Sequence, residues 1–129
     1  MSLNVSLHLI AQAQADQVDE QEFVQTIRQS LPYAWGIVEG LAERIIHGEQ
    51  WANHQLPPPS EQQRAQLLRL MAGDAIRTAV EHHFGIKLAF QNCHHLAAFS
   101  TEQLNSPAYL DFISTRSQIL NQTPELIDC

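Results

Sequence analysis

Three consecutive prolines, Pro57, Pro58 and Pro59, constrain the fold of this chain more than any other feature. Proline has no backbone N–H and clashes with the preceding helical turn, so neither a helix nor a central strand can continue through them. The sequence therefore predicts two segments joined by a stiff connector over residues 55–60. Each segment is too short to bury much apolar surface alone, which predicts a single domain over residues 1–129.

Helix-start signals occur on both sides of this connector. Asp19 and Ser60 are each followed three residues later by Glu or Gln, a spacing that satisfies the unpaired amides of a first helical turn. Apolar residues then recur at helical spacing, and a proline also fits the first turn of a helix. These signals predict helices over about residues 20–31, 32–50, 60–84 and 107–120.

The extended segments are less clearly marked. Residues 3–15 fit a helix but begin with a strand-like alternation, and Ile86, Leu88 and Phe90 alternate with other residues in the same way. We therefore predict an all-α, mainly helical domain of four to six helices, in which residues 3–9 and 86–91 form at most a minor strand pair. Residues 123–129 are predicted to be a frayed tail.

The charge of the chain excludes some classes of partner. The formal net charge is −7, from 14 acidic and 7 basic residues, whereas nucleic-acid and anionic-membrane surfaces select basic proteins. The chain has no apolar run long enough for a membrane span, and its start lacks the basic region of a signal peptide. We expect a cytoplasmic protein, and the preference for Gln and Arg over Lys favours a bacterial origin.

Five residues in the middle part of the second segment are candidate metal ligands: His82, His83, Cys93, His94 and His95. Imidazole and thiolate are ligands that zinc and iron prefer. Their spacing matches no established metal motif, and adjacent helical residues differ by about 100° in direction. We therefore expect His83 to turn inward as a hydrogen-bonded residue near the core, while His82 and His94 point elsewhere.

A candidate interface lies on the predicted helix 32–50. Gly36 and Gly40 are four residues apart, and two glycines inside a helix each cost about 1 kcal/mol relative to alanine. Close approach of another helix, from the same chain or a second copy, is the usual compensation. Tyr33 and Trp35 lie beside them as aromatic anchors, so we expect a homodimer that uses this helix.

No motif for catalysis, phosphate binding or nucleotide binding accompanies these features. The sequence therefore favours a small non-enzymatic protein–protein interaction module, such as a regulatory, adaptor or assembly factor, without a cofactor. The alternative is a protein that binds zinc, iron or haem through the histidine and cysteine cluster.

Overall fold

The computed structural model describes residues 2–122 of the chain. Seven α-helices and three strands are formed by these residues, with one 3₁₀ turn at Thr101–Gln103. In chain order the elements are α1 Leu7–Gln14, α2 Glu20–Ser30, α3 Pro32–Ile46, β1 Trp51–His54, α4 Glu61–Ala72, α5 Asp74–Phe84, β2 Ile86–Gln91, β3 His95–Ser100, α6 Pro107–Phe112 and α7 Thr115–Leu120.

The three strands form an antiparallel sheet in the order β1-β3-β2. Trp51 pairs with Phe99, and Ile86 pairs with Ser100, so β3 is hydrogen-bonded along both of its edges. The all-α expectation was therefore wrong, and the fold is a mixed one, substantially helical around a small sheet. The central strand contains Ala97 and Ala98, a residue type that is depleted in strands, and its pairing on both sides outweighs that local preference.

The expected strand pair of residues 3–9 and 86–91 is half correct. Residues 86–91 are strand β2, but their partner is β3. Residues 3–9 are not a strand, because Ser6 accepts a hydrogen bond from the Leu9 amide and caps α1.

The long helix expected over residues 60–84 is divided at Gly73. Gly73 has an extended backbone and separates α4 from α5. The predicted stop at Gly85 is confirmed, since this residue adopts the left-handed conformation with φ 67°, which glycine tolerates best. The helix expected over 32–50 ends at Ile46, and residues 51–54 form β1 instead.

The sheet is covered on both faces. Leu96 and Ala98 of β3 belong to the main core, whereas Ala97 and Phe99 face a smaller cluster that includes Phe112 of α6. This division follows from the alternation of side chains along a strand. The main core takes buried residues from α2 and α3 before the prolines and from α4 and α5 after them.

The predicted connector at 55–60 has no regular secondary structure before the turn that opens α4. Cooperative unfolding of the two segments together remains a prediction, and the tail expected at 123–129 lies outside the described residues. Within residues 2–122, no helix has both the length and the apolar character needed to cross a membrane.

Candidate functional site

An open groove runs along the exposed side of α3. It has a volume of about 590 Å³, and strand β1 supplies its second wall. Its lining residues are Pro32, Tyr33, Gly36, Ile37, Gly40, Leu41, Arg44, Asn53 and His54. Three of the four residues that the sequence assigned to an interface therefore line one groove.

Gly36 and Gly40 are exposed in this groove. Among the described residues, and apart from the backbone of α3 itself, no heavy atom lies within 4 Å of the position where a Cβ would stand at either glycine. No described helix of the same chain packs closely against these two glycines. The intramolecular form of the close-packing prediction is therefore wrong. Neither glycine has a φ in the left-handed region, so the backbone does not require glycine there either.

Trp35 is the exception among the predicted interface residues. Its side chain is only 4% exposed and belongs to the main core. Its ring centroid lies 5.0 Å from that of Phe84 and 5.2 Å from that of His83, and the Arg28 guanidinium lies 5.9 Å from the ring centroid. Trp35 therefore anchors α3 to α5 and does not face the groove.

The groove presents little unpaired charge. Arg44 is its only charged lining residue apart from the histidine, and its guanidinium donates two hydrogen bonds to Glu49, at 2.7 and 2.9 Å. This pairing raises the pKa of Arg44 and lowers the pKa of Glu49. Burial raises the pKa of Tyr33, so its hydroxyl stays a neutral donor at the groove wall. The groove is therefore nearly neutral on a chain whose net charge is −7.

A second groove lies between α1 and the start of α2. It is mostly apolar, with a volume of about 490 Å³, and is lined by Val5, Leu9, Ile10, Ala13, Gln14, Val18 and Phe23. Scattered apolar side chains are normal on a protein surface, but a contiguous apolar patch is a candidate contact surface. No glycine pair lies in this second groove.

The five predicted metal ligands lie in two separate places. His82 is exposed at the end of α5, with its Nδ1 3.2 Å from a carboxylate oxygen of Glu20. His83 is also exposed and packs against Trp35 and Phe84, so the expectation that it turns inward was wrong. His82 thus contacts α2, and His83 contacts α3.

The other three predicted ligands lie at the turn between β2 and β3. Asn92 adopts φ 47° there, and its Oδ1 accepts hydrogen bonds from the amides of His94 and His95, each at 3.1 Å. Cys93 is buried, and its sulfur lies 3.9 Å from Nδ1 of His94. His94 is only 2% exposed, so the residue expected to point away from the core is the most buried histidine.

His95 lies on the side of the sheet that faces α6. Its ring packs edge-on against Phe112, with 5.0 Å between centroids, and its Nδ1 is 2.9 Å from the side-chain nitrogen of Asn121. Because that nitrogen can only donate, Nδ1 of His95 accepts and its Nε2 carries the hydrogen. Gln91 joins the same network by donating to the Phe112 carbonyl and accepting from Asn121.

Two residues that the sequence did not single out contribute to the pKa values of the histidines at this end of the sheet. His54 closes β1 opposite Leu96, and Arg64 lies in the first half of α4. Burial lowers the pKa of His94, and the Arg64 guanidinium and His54 lower it further. Burial likewise lowers the pKa of His95, with smaller contributions from His94 and His54, and burial alone lowers the pKa of His54.

The chemistry of this end of the sheet differs from that of a metal centre. In the part of the chain from residue 2 to residue 122, no three His, Cys, Asp or Glu side chains are grouped so that they could hold a metal ion. The described contacts instead join imidazoles to an amide, a sulfur and an aromatic ring. The use of the five predicted ligands for zinc, iron or haem remains a hypothesis without a geometric site to support it.

Comparison with known proteins gives one match. No curated protein and no solved structure is significantly similar to this chain. The model of one family, described as NucS shadow ORF, matches residues 1–129. That description refers to a reading frame and names no activity, ligand or partner. With the whole length matched, the chain belongs to the NucS shadow ORF family.

Proposed function

We propose that this protein is a non-enzymatic protein–protein interaction module that pairs with a second copy of itself through the groove on α3. The observation that carries the proposal is the exposed glycine pair. Gly36 and Gly40 each weaken α3 by about 1 kcal/mol relative to alanine, and no contact within the described chain explains either of them. Close approach of a helix from another molecule would explain both.

The shape of the groove supports a second copy as the occupant. Ile37 and Tyr33 stand half-buried beside the two glycines, so α3 presents both a ridge and a gap. In a symmetric pair the same surface meets itself, and the ridge of one α3 can enter the gap of the other. A regulatory, adaptor or assembly role fits such a module.

The electrostatics of the groove also favour self-association. A chain with a net charge of −7 repels its own copies unless the surfaces that meet are close to neutral. The groove meets this condition, because Arg44 is already paired with Glu49 within the chain. Neutrality also distinguishes this face from a site for a strongly basic or acidic partner.

The test is the mass in solution of wild type and of Gly40→Leu, measured by sedimentation equilibrium up to millimolar concentration. We expect wild type to be a dimer and Gly40→Leu to be a monomer, because the leucine fills the gap that the second helix enters. The matched control is Gln62→Leu, which adds the same side chain at an exposed position of α4 and should stay dimeric.

Chemical denaturation separates loss of pairing from loss of folding. Under conditions where both proteins are monomeric, Gly40→Leu should unfold with a free energy about 0.5–1 kcal/mol higher than wild type, since leucine is the better helix former and meets no obstacle. A wild type that is monomeric at every concentration, or a Gly40→Leu variant that dimerises as tightly as wild type, would refute the proposal.

A further inference from the structure

Strand β1 forms one edge of the sheet, and part of its backbone faces away from the sheet. The amide of Ser100 donates to the carbonyl of Gln50 at 3.0 Å, which marks these two residues as a hydrogen-bonded pair. Such pairs alternate along an antiparallel ladder, so Ala52 also bonds to β3. The amides and carbonyls of Trp51 and Asn53 therefore point outwards, and nothing in the described part of the chain is hydrogen-bonded to them.

The opposite edge of the sheet is protected. On β2 the backbone groups of Leu88 face outwards, since its partner Ala98 bonds to β1. The buried carboxylate of Glu81 accepts a hydrogen bond from the Leu88 amide at 2.8 Å and so occupies the place that a further strand would take. Lys87 adds a charge to this strand, which is a common feature of edge strands that remain unpaired.

Strand β1 has no such protection. Residues 50–56 contain no Asp, Glu, Lys or Arg, on a chain whose net charge is −7. The prolines begin only at Pro57, after the strand has ended, and the side chain of Trp51 is exposed. An edge strand without charge, proline or a capping side chain is the kind that pairs with another strand.

We propose that β1 pairs in antiparallel fashion with β1 of a second copy, so that the two sheets join into one. The inference rests on the proposed dimer at α3 and adds the sheet edge to its interface. In a two-fold pair centred on Ala52, Trp51 of each copy lies opposite Asn53 of the other. Each of these opposed pairs exchanges two N–H···O=C bonds, so every outward-facing backbone group of both residues gains a partner.

The same arrangement accounts for the glycines of α3. Helix α3 packs against both β1 and β3, and Asn53 lines the groove that contains Gly36 and Gly40. Because neighbouring strands lie about 4.8 Å apart, joining two β1 strands places both α3 helices side by side on one face of the sheet, with about 10 Å between their axes. Small residues permit this close approach. A peptide of another protein added to β1 would leave the glycines unexplained, which favours a second copy.

Amide hydrogen exchange followed by NMR tests the strand pairing in the wild-type protein. We expect the amides of Trp51 and Asn53 to exchange slowly at concentrations where the protein is a dimer, and quickly after dilution to the monomer. The Leu88 amide is the internal control. It should stay protected at both concentrations, since its acceptor Glu81 belongs to the same chain.

Two substitutions at one position provide the matched comparison. Asn53→Pro removes an outward N–H and leaves the ladder with β3 intact, because an edge strand accepts proline at such a position. We expect it to weaken dimerisation at least about tenfold, since the dimer loses two hydrogen bonds between copies and the proline ring meets the facing strand. Asn53→Ala keeps the N–H and should dimerise like wild type.

The outcomes distinguish this inference from the proposal on which it rests. If Gly40→Leu is monomeric but Asn53→Pro dimerises as tightly as wild type, α3 forms the interface alone and the strand pairing is refuted. A wild type that is monomeric at every concentration refutes both. If Asn53→Pro lacks the wild-type circular dichroism spectrum, exchange in the wild type decides. Amides of Trp51 and Asn53 that exchange as fast in the dimer as in the monomer then overturn the strand pairing.

Discussion

At the scale of single residues, buried polar side chains connect the elements of this fold. Helix α3 begins after Leu31, whose side chain cannot cap it, and Gln66 of α4 replaces the missing cap. The Oε1 of Gln66 accepts hydrogen bonds from the amides of Tyr33, at 2.7 Å, and Ala34, at 3.3 Å. One side chain thus satisfies two otherwise unpaired amides and fixes the position of α3 against α4.

Replacing this side chain should destabilise the fold. We expect Gln66→Leu to lower the free energy of unfolding by about 1–3 kcal/mol, because two amides at the buried start of α3 lose their acceptor. Urea denaturation followed by circular dichroism measures the loss. Gln62→Leu, at an exposed position of the same helix, should stay within about 0.5 kcal/mol of wild type. An equal effect of the two substitutions would contradict the assigned role of Gln66.

Roles of this kind are not visible in a sequence. Glu81 and Gln66 are polar residues in the segment predicted as one helix over residues 60–84, and both are buried. Glu81 accepts a hydrogen bond from the Leu88 amide at 2.8 Å and lies 3.4 Å from Nζ of Lys87. Long-range partners decide whether a polar residue is buried, and helical spacing carries no information about them. The same limit explains why His83 and His94 were assigned the wrong environments.

At the scale of elements, one aromatic cluster attaches the C-terminal helices to the sheet. Phe99 of β3 is fully buried, and its ring stacks on Trp51 of β1 with 5.5 Å between centroids. Tyr109 and Phe112 of α6 pack edge-on against the same ring, at 5.1 and 5.9 Å. The outer face of the sheet is therefore covered largely through one phenyl ring.

Truncation of that ring tests its importance. Phe99→Ala should lower the free energy of unfolding by about 3–5 kcal/mol, since it removes buried apolar surface and leaves a cavity under α6. The comparison is Ile113→Ala, which removes an exposed side chain next to the same helix and should change stability by less than about 0.5 kcal/mol. Differential scanning calorimetry on both variants would measure the difference, and a small effect at Phe99 would count against this packing.

The helices were more predictable than the sheet because their signals are local. Capping residues and prolines mark the starts of α2, α3, α4 and α6, and each of these starts was found to within one residue. Strand β1 has only four residues and no β-branched side chain, and β3 contains two alanines. Both strands exist because of pairing between distant segments, which leaves a weak trace in the sequence. Only β2, with its alternating pattern, was visible as an extended segment.

At the scale of the whole molecule, three histidines with lowered pKa lie at one end of the sheet. Burial is the main cause for His54, His94 and His95, and neighbouring positive groups add to it for the last two. In the unfolded chain these imidazoles return to an ordinary pKa of about 6.5. Below that pH the unfolded state binds more protons than the folded state, so acidification favours unfolding.

This linkage predicts a specific pH dependence. The contribution of these three histidines to the free energy of unfolding should be complete above about pH 6.5 and should fall as the pH is lowered from there towards 5. Thermal unfolding at half-unit steps between pH 7.5 and 5 measures the slope. His95→Gln should reduce the slope, whereas His47→Gln, at an exposed position, should not. A stability that rises on acidification through this range would contradict the buried, neutral state of these histidines.

The groove on α3 was the part of the candidate site that the sequence located best. Glycines inside a helix are a local signal, and Gly36, Gly40 and Tyr33 do line one groove. The sequence could not show whether the space beside them was filled by the same chain, nor that Trp35 on the same helix faces the core. It also could not bring His54 to the end of β3, because the two segments meet only when β1 pairs with β3.

The central claim is that two copies meet at α3, and intermolecular NMR contacts test it most directly. The sample mixes isotope-labelled and unlabelled chains at high concentration, so that only contacts between copies are recorded. We predict nuclear Overhauser effects between the Ile37 methyl groups of one copy and the α-protons of Gly36 and Gly40 in the other. The absence of intermolecular contacts, or their restriction to the apolar groove between α1 and α2, would contradict the account.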